Sequence, residues 1–226
     1  MTEPLTSHTQ DYLKAIYALS AQNGSASTTA LAERMGVAPA SVTGMLQRLA
    51  STVPPLVAYR KYQGVTLTPE GELAALKVIR SHRLLETYLV QHLGFGWDTV
   101  HDEACRLEHV ISADFEARIA HALGDPSRDP HGEPIPTAQL ILPGDESLPL
   151  SALLPPQLAL IRRVEASTPD FLRYLQSVGL VPGARLELLE LLPFDHNLRL
   201  RLQEQELVLG QAVTSRIFVE AITSEV

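Results

Sequence analysis

A helix-turn-helix pattern near the N-terminus constrains the fold of this chain more than any other feature. Residues 27–35 and 39–49 both have helical periodicity, and the short connection 36–38 contains a glycine. Proline at the first position of the second helix is compatible with helix initiation. Leu31 and Leu46 lie where they would pack the two helices together. Two short helices around a tight glycine-containing turn predict a helix-turn-helix.

Two short strands after this motif complete a winged helix. Residues 56–59 and 65–67 are predicted strands, and the turn between them carries two adjacent cations. Small side chains on the second helix allow close approach to a DNA major groove, and the cations of the turn would contact phosphates. The predicted DNA-binding residues are Pro39, Ala40, Ser41, Thr43, Gly44, Gln47, Arg48, Arg60 and Lys61. The alternative is a winged helix used only for protein contacts.

Two further segments carry metal-ligating side chains at helical spacing. His82 and Glu86 are four residues apart, and His101, Cys105, Glu108 and His109 lie at offsets of 0, 4, 7 and 8. At ~100° per residue each set occupies one helical stripe. Imidazole, thiolate and carboxylate together suit a divalent first-row transition metal. A polar stripe is often only a solvated face, but this concentration of donors favours metal binding.

The rest of the chain is predicted to be helical first and then β-rich. A first helix should start with Ser7 as its cap, and a long helix should cover 69–93. Eight prolines in residues 124–156 predict a largely extended linker, in which His131 is expected to be exposed. Five short strands and one helix beyond 157 predict a small SH3-like barrel.

The predicted fold class is therefore mainly α with a small β part: an N-terminal winged helix-turn-helix, a helical dimerisation domain and a C-terminal SH3-like β-barrel. The expected boundaries are 1–71 for the winged-helix DNA-binding domain, 72–137 for the helical metal-binding and dimerisation domain, 138–156 for the Pro-rich linker and 157–226 for the SH3-like, FeoA-type domain. A homodimer is expected through the helices of residues 72–123, because dimers match the half-sites of palindromic operators.

Charge and cysteine content limit the remaining function classes. The net charge of −8 argues against a generally basic nucleic-acid binder, yet residues 1–80 have seven basic and five acidic side chains. The basic excess of the first third permits local DNA contact. A single cysteine, no secretory signal and no apolar run long enough for a bilayer predict a cytoplasmic protein without membrane contact.

These features together resemble the diphtheria-toxin-repressor and manganese-transport-regulator family over essentially the whole chain. The most specific match is HDEACRLEH at 101–109 followed by DPSRDPHGEPIP at 125–136. Members are metal-activated, homodimeric repressors of metal-uptake genes. The resemblance implies a transcriptional repressor that senses Mn(II) or Fe(II) and binds a palindromic operator in double-stranded DNA. It implies no enzymatic activity and no organic substrate.

The resemblance also implies two sets of metal ligands. One site would use His82, Glu86 and His101, with Glu165 as a candidate fourth ligand from the C-terminal domain. The second would use Asp11, Cys105, Glu108 and His109. Aspartate is a hard donor that suits manganese, whereas thiolate favours softer ions. Because this ligand set combines hard and soft donors, either Mn(II) or Fe(II) could be the activating ion. Co(II), Ni(II), Zn(II) or Cd(II) could also bind in vitro.

Other function classes remain open from the residues themselves. A metal-dependent hydrolase could use Glu108 as general base. A regulator could sense a small organic ligand through its helical bundle and would then bind DNA in the presence of a chelator. The metal could also be a structural zinc ion that contributes folding energy.

Overall fold

The computed structural model describes residues 5–60, 63–165 and 168–223. The chain divides into two compact units. The first comprises Met1–His82, Arg106–Glu116 and Pro136–Leu142, and the second comprises Arg83–Cys105, Ala117–Ile135 and Pro143–Val226. Among the described helices, none is long and apolar enough to cross a membrane.

The N-terminal part forms a winged helix-turn-helix, which confirms the fold predicted from the sequence. Thr6, one residue before the expected cap, accepts the hydrogen bond from the Thr9 N–H at the start of the first helix. Strands β1 and β2 pair antiparallel, with Arg60 opposite Gly64 at the turn of the wing. In chain order the elements are α1 (Ser7–Asn23), α2 (Thr28–Met35), α3 (Pro39–Ala50), β1 (Val57–Arg60), β2 (Gly64–Leu67) and α4 (Pro69–Leu93).

One apolar core holds this winged helix together. Leu13 and Ile16 of α1 are fully buried, as are Leu31 of α2 and Leu46 of α3. Burying each such side chain contributes about 1.5–3 kcal/mol. The core therefore fixes α1 against α2 and α3 of the same unit, and this fixes the orientation of the polar side chains on the other face of α1.

The C-terminal part is a small antiparallel β domain. Its sheet has the strand order β3-β8-β4-β5-β6-β7, and its core includes Ile161, Leu188 and Leu200, all fully buried. Strand β3 and the short helix α8 were not predicted from the sequence. The remaining elements are α5 (Val100–Leu107), α6 (Ala113–Ala122), β3 (Leu148–Pro149), a 3₁₀ helix (Leu150–Ala152), β4 (Gln157–Val164), α7 (Pro169–Ser177), β5 (Arg185–Leu191), β6 (Leu198–Leu202), β7 (Gln205–Leu209), α8 (Gln211–Thr214) and β8 (Ile217–Ile222).

Two local predictions were wrong. The proline-rich stretch is not a free linker, because Leu150 and Leu153 are buried in the core of the β domain and His131 is only 1% exposed. Proline removes backbone donors without preventing the neighbouring side chains from packing. The second donor segment is not one continuous helix either, because α5 ends at Leu107 and residues 108–110 form a turn.

Candidate metal centre

Asp11, Glu108 and His109 come together within the first unit. Asp11 lies on the second turn of α1, while the other two follow the end of α5. His109 Nε2 lies 2.9 Å from Asp11 Oδ1 and 3.4 Å from Glu108 Oε1. One potential ligand atom from each of the three lies within 4.8 Å of the others. Two carboxylates and one imidazole are donors that Mn(II), Fe(II) and Zn(II) accept.

The hydrogen bond that His109 makes through Nδ1 is consistent with a cation bound at its other ring nitrogen, Nε2. His109 Nδ1 lies 2.6 Å from Gln10 Oε1. An amide oxygen can only accept, so Nδ1 carries a proton. The other ring nitrogen, Nε2, faces carboxylate oxygens, and a proton or a metal cation must lie between Nε2 and these acceptors. Orientation of a metal-ligating histidine through its second nitrogen is the usual arrangement at protein metal sites.

Glu108 is held in its ionised form. Its side chain is only 1% exposed, and this burial acts to raise the pKa of the carboxyl group. Hydrogen bonds and positive charge from His82 and Lys14 outweigh burial, so that the pKa lies below its ordinary value. His82 Nδ1 lies 2.5 Å from Glu108 Oε2, and Lys14 Nζ lies 2.7 Å from the same oxygen. The carboxylate is therefore a charged ligand at neutral pH.

A second cluster of possible ligands is buried in the other unit. Glu86, Asp129 and His131 have one ligand atom each within 4.8 Å of the others, and all three residues are buried. Asp129 Oδ1 accepts hydrogen bonds from the backbone N–H groups of His131 (2.8 Å) and Glu133 (3.0 Å). The turn also needs Gly132, whose φ is +86° and where a Cβ would lie 2.0 Å from the Arg162 carbonyl oxygen.

His131 repeats the arrangement of His109. Its Nε2 donates to the carbonyl oxygen of Trp97 at 2.7 Å, while Nδ1 faces Glu86 Oε2 at 3.6 Å. Burial and the charge of Glu86 raise the pKa of Asp129 to about 7. The pKa of His131 is raised as well: burial lowers it, but the hydrogen bond and charge of Glu86 and the charge of Asp129 outweigh burial. Bringing buried acids together in this way requires either a retained proton or a compensating positive charge.

The remaining predicted ligands are distributed between these clusters and the surface. His101 is half exposed and places Nδ1 3.1 Å from Glu86 Oε1, with Cys105 Sγ 3.5 Å from its Nε2. His82, which the resemblance assigned to the other ligand set, pairs with Glu108. Glu165 is exposed and does not belong to any of the ligand clusters found among the described residues.

The predicted DNA-reading face is accessible. On α3 the exposed or partly exposed side chains include all the predicted ones, namely Pro39, Ala40, Ser41, Thr43, Gly44, Gln47 and Arg48. Arg60 is also exposed, at the end of β1. Lys61 lies outside the described residues.

Four residues of these clusters were not among the predicted ligands: Gln10, Lys14, Asp129 and His131. Lys14 lies three residues after Asp11, so it could have been found by extending the donor search to partners on the same face, and Gln10 lies four residues before Lys14 on that helix. His131 lay in a proline-rich sequence that suggested exposure. Its burial depends on packing that no local pattern shows.

Three family models match successive parts of the chain. A family model described as the N-terminal DNA-binding domain of iron-dependent repressors matches residues 4–65. Another, described as their metal-binding and dimerisation domain, matches residues 68–137. A FeoA domain model matches residues 148–221.

Individual relatives extend over most of the chain. The iron-dependent repressor IdeR of Mycobacterium tuberculosis strain H37Rv is 33% identical over 194 residues, which cover 80% of this chain and 84% of the relative. The diphtheria toxin repressor of Corynebacterium diphtheriae is 36% identical over 132 residues, 58% of each chain. A solved manganese-dependent transcriptional repressor in complex with manganese is 38% identical, with a TM-score of 0.86, and the match covers 95% of this chain and 100% of the other. The zinc-bound structure of ScaR is 33% identical, with a TM-score of 0.79 over 95% of this chain and 99% of the other.

Three domain models thus follow one another along the chain: DNA binding, metal binding with dimerisation, and FeoA. The similarity to the relatives extends over more than one of these domains. The chain belongs to the iron-dependent repressor family, in the long form that ends in a FeoA domain.

Proposed function

We propose that this protein is a metal-dependent transcriptional repressor whose DNA binding is controlled by a divalent cation at Asp11, Glu108 and His109. The observation that carries the proposal is the position of Asp11. This proposed ligand lies on α1 of the DNA-binding domain, and its Oδ1 is 2.9 Å from Nε2 of His109. Relatives are named as iron-dependent and manganese-dependent repressors, which supports the same function.

The ligands act by connecting α1 to the segment after α5. Asp11, Glu108 and His109 would hold the cation, which would supply positive charge to offset the two carboxylates. Gln10 keeps the His109 ring in the orientation that presents Nε2, and the buried core keeps α1 fixed against α2 and α3. If the DNA-binding conformation holds these ligands closer together, metal and DNA strengthen each other's binding by the same factor.

A second cation site is proposed at Glu86, Asp129 and His131, with His101 next to Glu86. Two buried carboxylates beside an imidazole are stabilised by nearby positive charge, which a divalent cation would supply. His82 contacts Glu108, a ligand of the first site, and its ligation together with Glu86 and His101 stays a prediction. Ligation by Cys105 and Glu165 stays a prediction.

Manganese and iron are the proposed activating ions. The two clusters described above supply mainly carboxylate oxygen and imidazole nitrogen, which suit Mn(II) and Fe(II). Structures of relatives with manganese, zinc and cadmium bound show that related folds accept several divalent ions.

Operator binding as a homodimer is the second part of the proposal. The domain that matches residues 68–137 is described as a dimerisation domain, which supports the predicted interface through residues 72–123. Val110 and Phe115 are exposed apolar side chains in this region. Two winged helices related by a twofold axis would read a palindromic site. The predicted domain boundaries and the cytoplasmic location remain predictions.

A DNA mobility-shift assay in EDTA, followed by addition of Mn(II), Fe(II), Co(II) or Zn(II) one at a time, tests the proposal. Metal-dependent binding by the native chain should be lost in Asp11→Ala and in His109→Ala, while dimers persist in size-exclusion chromatography. The exposed residues Glu72 and His121 provide matched controls as Glu72→Ala and His121→Ala. Unchanged metal dependence in the Asp11 and His109 variants would refute the site. DNA binding that is equally strong in EDTA would instead favour a structural zinc ion or an organic effector.

A further inference from the structure

We infer that Lys14 is a built-in competitor of the metal at Glu108, and that it sets the cation concentration at which the site fills. This inference rests on the proposed function, because it concerns the affinity of the same site. Its basis is the contact of one ammonium group with both oxygens of a ligand carboxylate.

Lys14 makes close contacts with a buried acid. Its Nζ lies 2.7 Å from Glu108 Oε2 and 3.0 Å from Oε1. The Lys14 side chain is 20% exposed and that of Glu108 is 1% exposed. An ion pair with so little solvent around it is weakly screened, so its effect on a third charge in the same place is large.

Both carboxylate oxygens of Glu108 have further polar neighbours besides Lys14. Oε2 also contacts His82 Nδ1 at 2.5 Å, and Oε1 lies 3.4 Å from His109 Nε2. Both oxygens therefore already have the Lys14 ammonium as a neighbour, and Oε2 has His82 as well. A cation bound between Glu108, Asp11 and His109 must share an oxygen with the Lys14 ammonium or displace it.

The position of Lys14 on α1 makes this competition unavoidable. Asp11 and Lys14 are three residues apart and lie on the same side of the helix. The same element thus brings a ligand and a competing cation to Glu108. The two carboxylates together balance a divalent ion, so the Lys14 ammonium adds positive charge beyond that balance. Removing that charge should favour the metal-bound form.

The test is Lys14→Met, which keeps the length of the side chain and removes its charge. Isothermal titration of the metal-free, full-length protein with Mn²⁺ at fixed ionic strength measures the dissociation constant. We expect about a tenfold or greater decrease in Kd, equivalent to about 1.4 kcal/mol per factor of ten. Lys77→Met removes an exposed lysine charge of α4 as the matched control, and Lys14→Arg keeps the charge. Both should bind Mn²⁺ within about twofold of the native chain.

A second measurement separates competition from a structural role. Without metal, the thermal unfolding midpoint of Lys14→Met should fall because Glu108 loses its buried cation, and saturating Mn²⁺ should restore the midpoint to the native value. An unchanged or higher Kd in Lys14→Met overturns the inference. Should Lys14→Met fail to fold, the Kd of Lys14→Gln is measured in the same way, and an unchanged or higher value in that variant overturns the inference. If the native chain itself binds no Mn²⁺, the proposed function fails; if it binds Mn²⁺ and Lys14→Met is not tighter, only the competitor role fails.

Discussion

Replacing Asp129 by asparagine should stabilise the metal-free protein above neutral pH. Asparagine has the shape of aspartate, and its Oδ1 can still accept from the backbone N–H groups of His131 and Glu133. What changes is the charge. The carboxyl of Asp129 is buried next to Glu86, and its pKa is raised from 3.8 to about 7.

The sign and size of the effect follow from this pKa. The folded state holds the Asp129 proton more tightly than the unfolded chain. The resulting stabilisation is complete below pH 3.8 and is lost as the pH rises through about 7. A tenfold difference in proton affinity between the folded and the unfolded chain corresponds to about 1.4 kcal/mol, so the native chain should lose roughly 4 kcal/mol across this range from Asp129 alone. Asparagine cannot ionise and should remove this loss.

Urea denaturation in EDTA between about pH 4 and pH 8 measures the free energy of unfolding of both proteins. The difference between Asp129→Asn and the native chain isolates the Asp129 contribution, and it should grow with pH in favour of the variant. Asp102→Asn, which neutralises an exposed acid of α5, should show no such trend. With saturating Mn²⁺ the native chain should gain more stability than Asp129→Asn, since the variant lacks the ligand charge. A difference that stays flat with pH, or a variant that is less stable at pH 8, would refute the reasoning.

Two further predictions concern other parts of the molecule. The pKa of Asp145 is lowered because hydrogen bonds from Ser147, Arg163 and Arg128 outweigh its burial; Asp145→Asn should therefore be less stable than the native chain near neutral pH. That deficit should stay constant down to the ordinary Asp145 pKa of 3.8 and shrink only below it, as the pH falls through the lower pKa of the folded state, which denaturation at a series of pH values from about pH 7 down to about pH 2 would test. Arg60→Ala should weaken binding to all DNA sequences alike and reduce the salt dependence by about one counterion in a titration of binding against salt, and an unchanged slope would remove Arg60 from the DNA interface.

The fold could be predicted from the sequence wherever one local pattern fixes the structure. The glycine turn between α2 and α3, and Pro69 at the start of α4, mark boundaries that the structure reproduces. Apolar alternation located the main strands of the β domain. These local sequence patterns failed where contacts between residues far apart in the sequence determine the structure. Leu150 belongs to the β-domain core although its surroundings are rich in proline.

The candidate site was predictable in its components but not in its pairing. Spacing along α4 placed His82 with Glu86, and the structure adds Glu108 as a partner of His82 and His101 as a partner of Glu86. Residues four apart on a long helix point in nearly the same direction, but their partners depend on what packs against each turn. A search for metal ligands could not identify Lys14, because its ammonium group repels a cation instead of binding it.

The close approach of Gly132 to strand β4 makes the FeoA domain a structural support of the buried acid cluster. The backbone of His131 accepts a hydrogen bond from Val164 of that strand, and Trp97, whose carbonyl orients the imidazole, donates its indole N–H to Gln176 of α7. A shortened protein that ends before the FeoA domain would lose both supports at once. Truncation is therefore a poor way to learn what the FeoA domain does, because it would also disturb a site that belongs to the preceding domain.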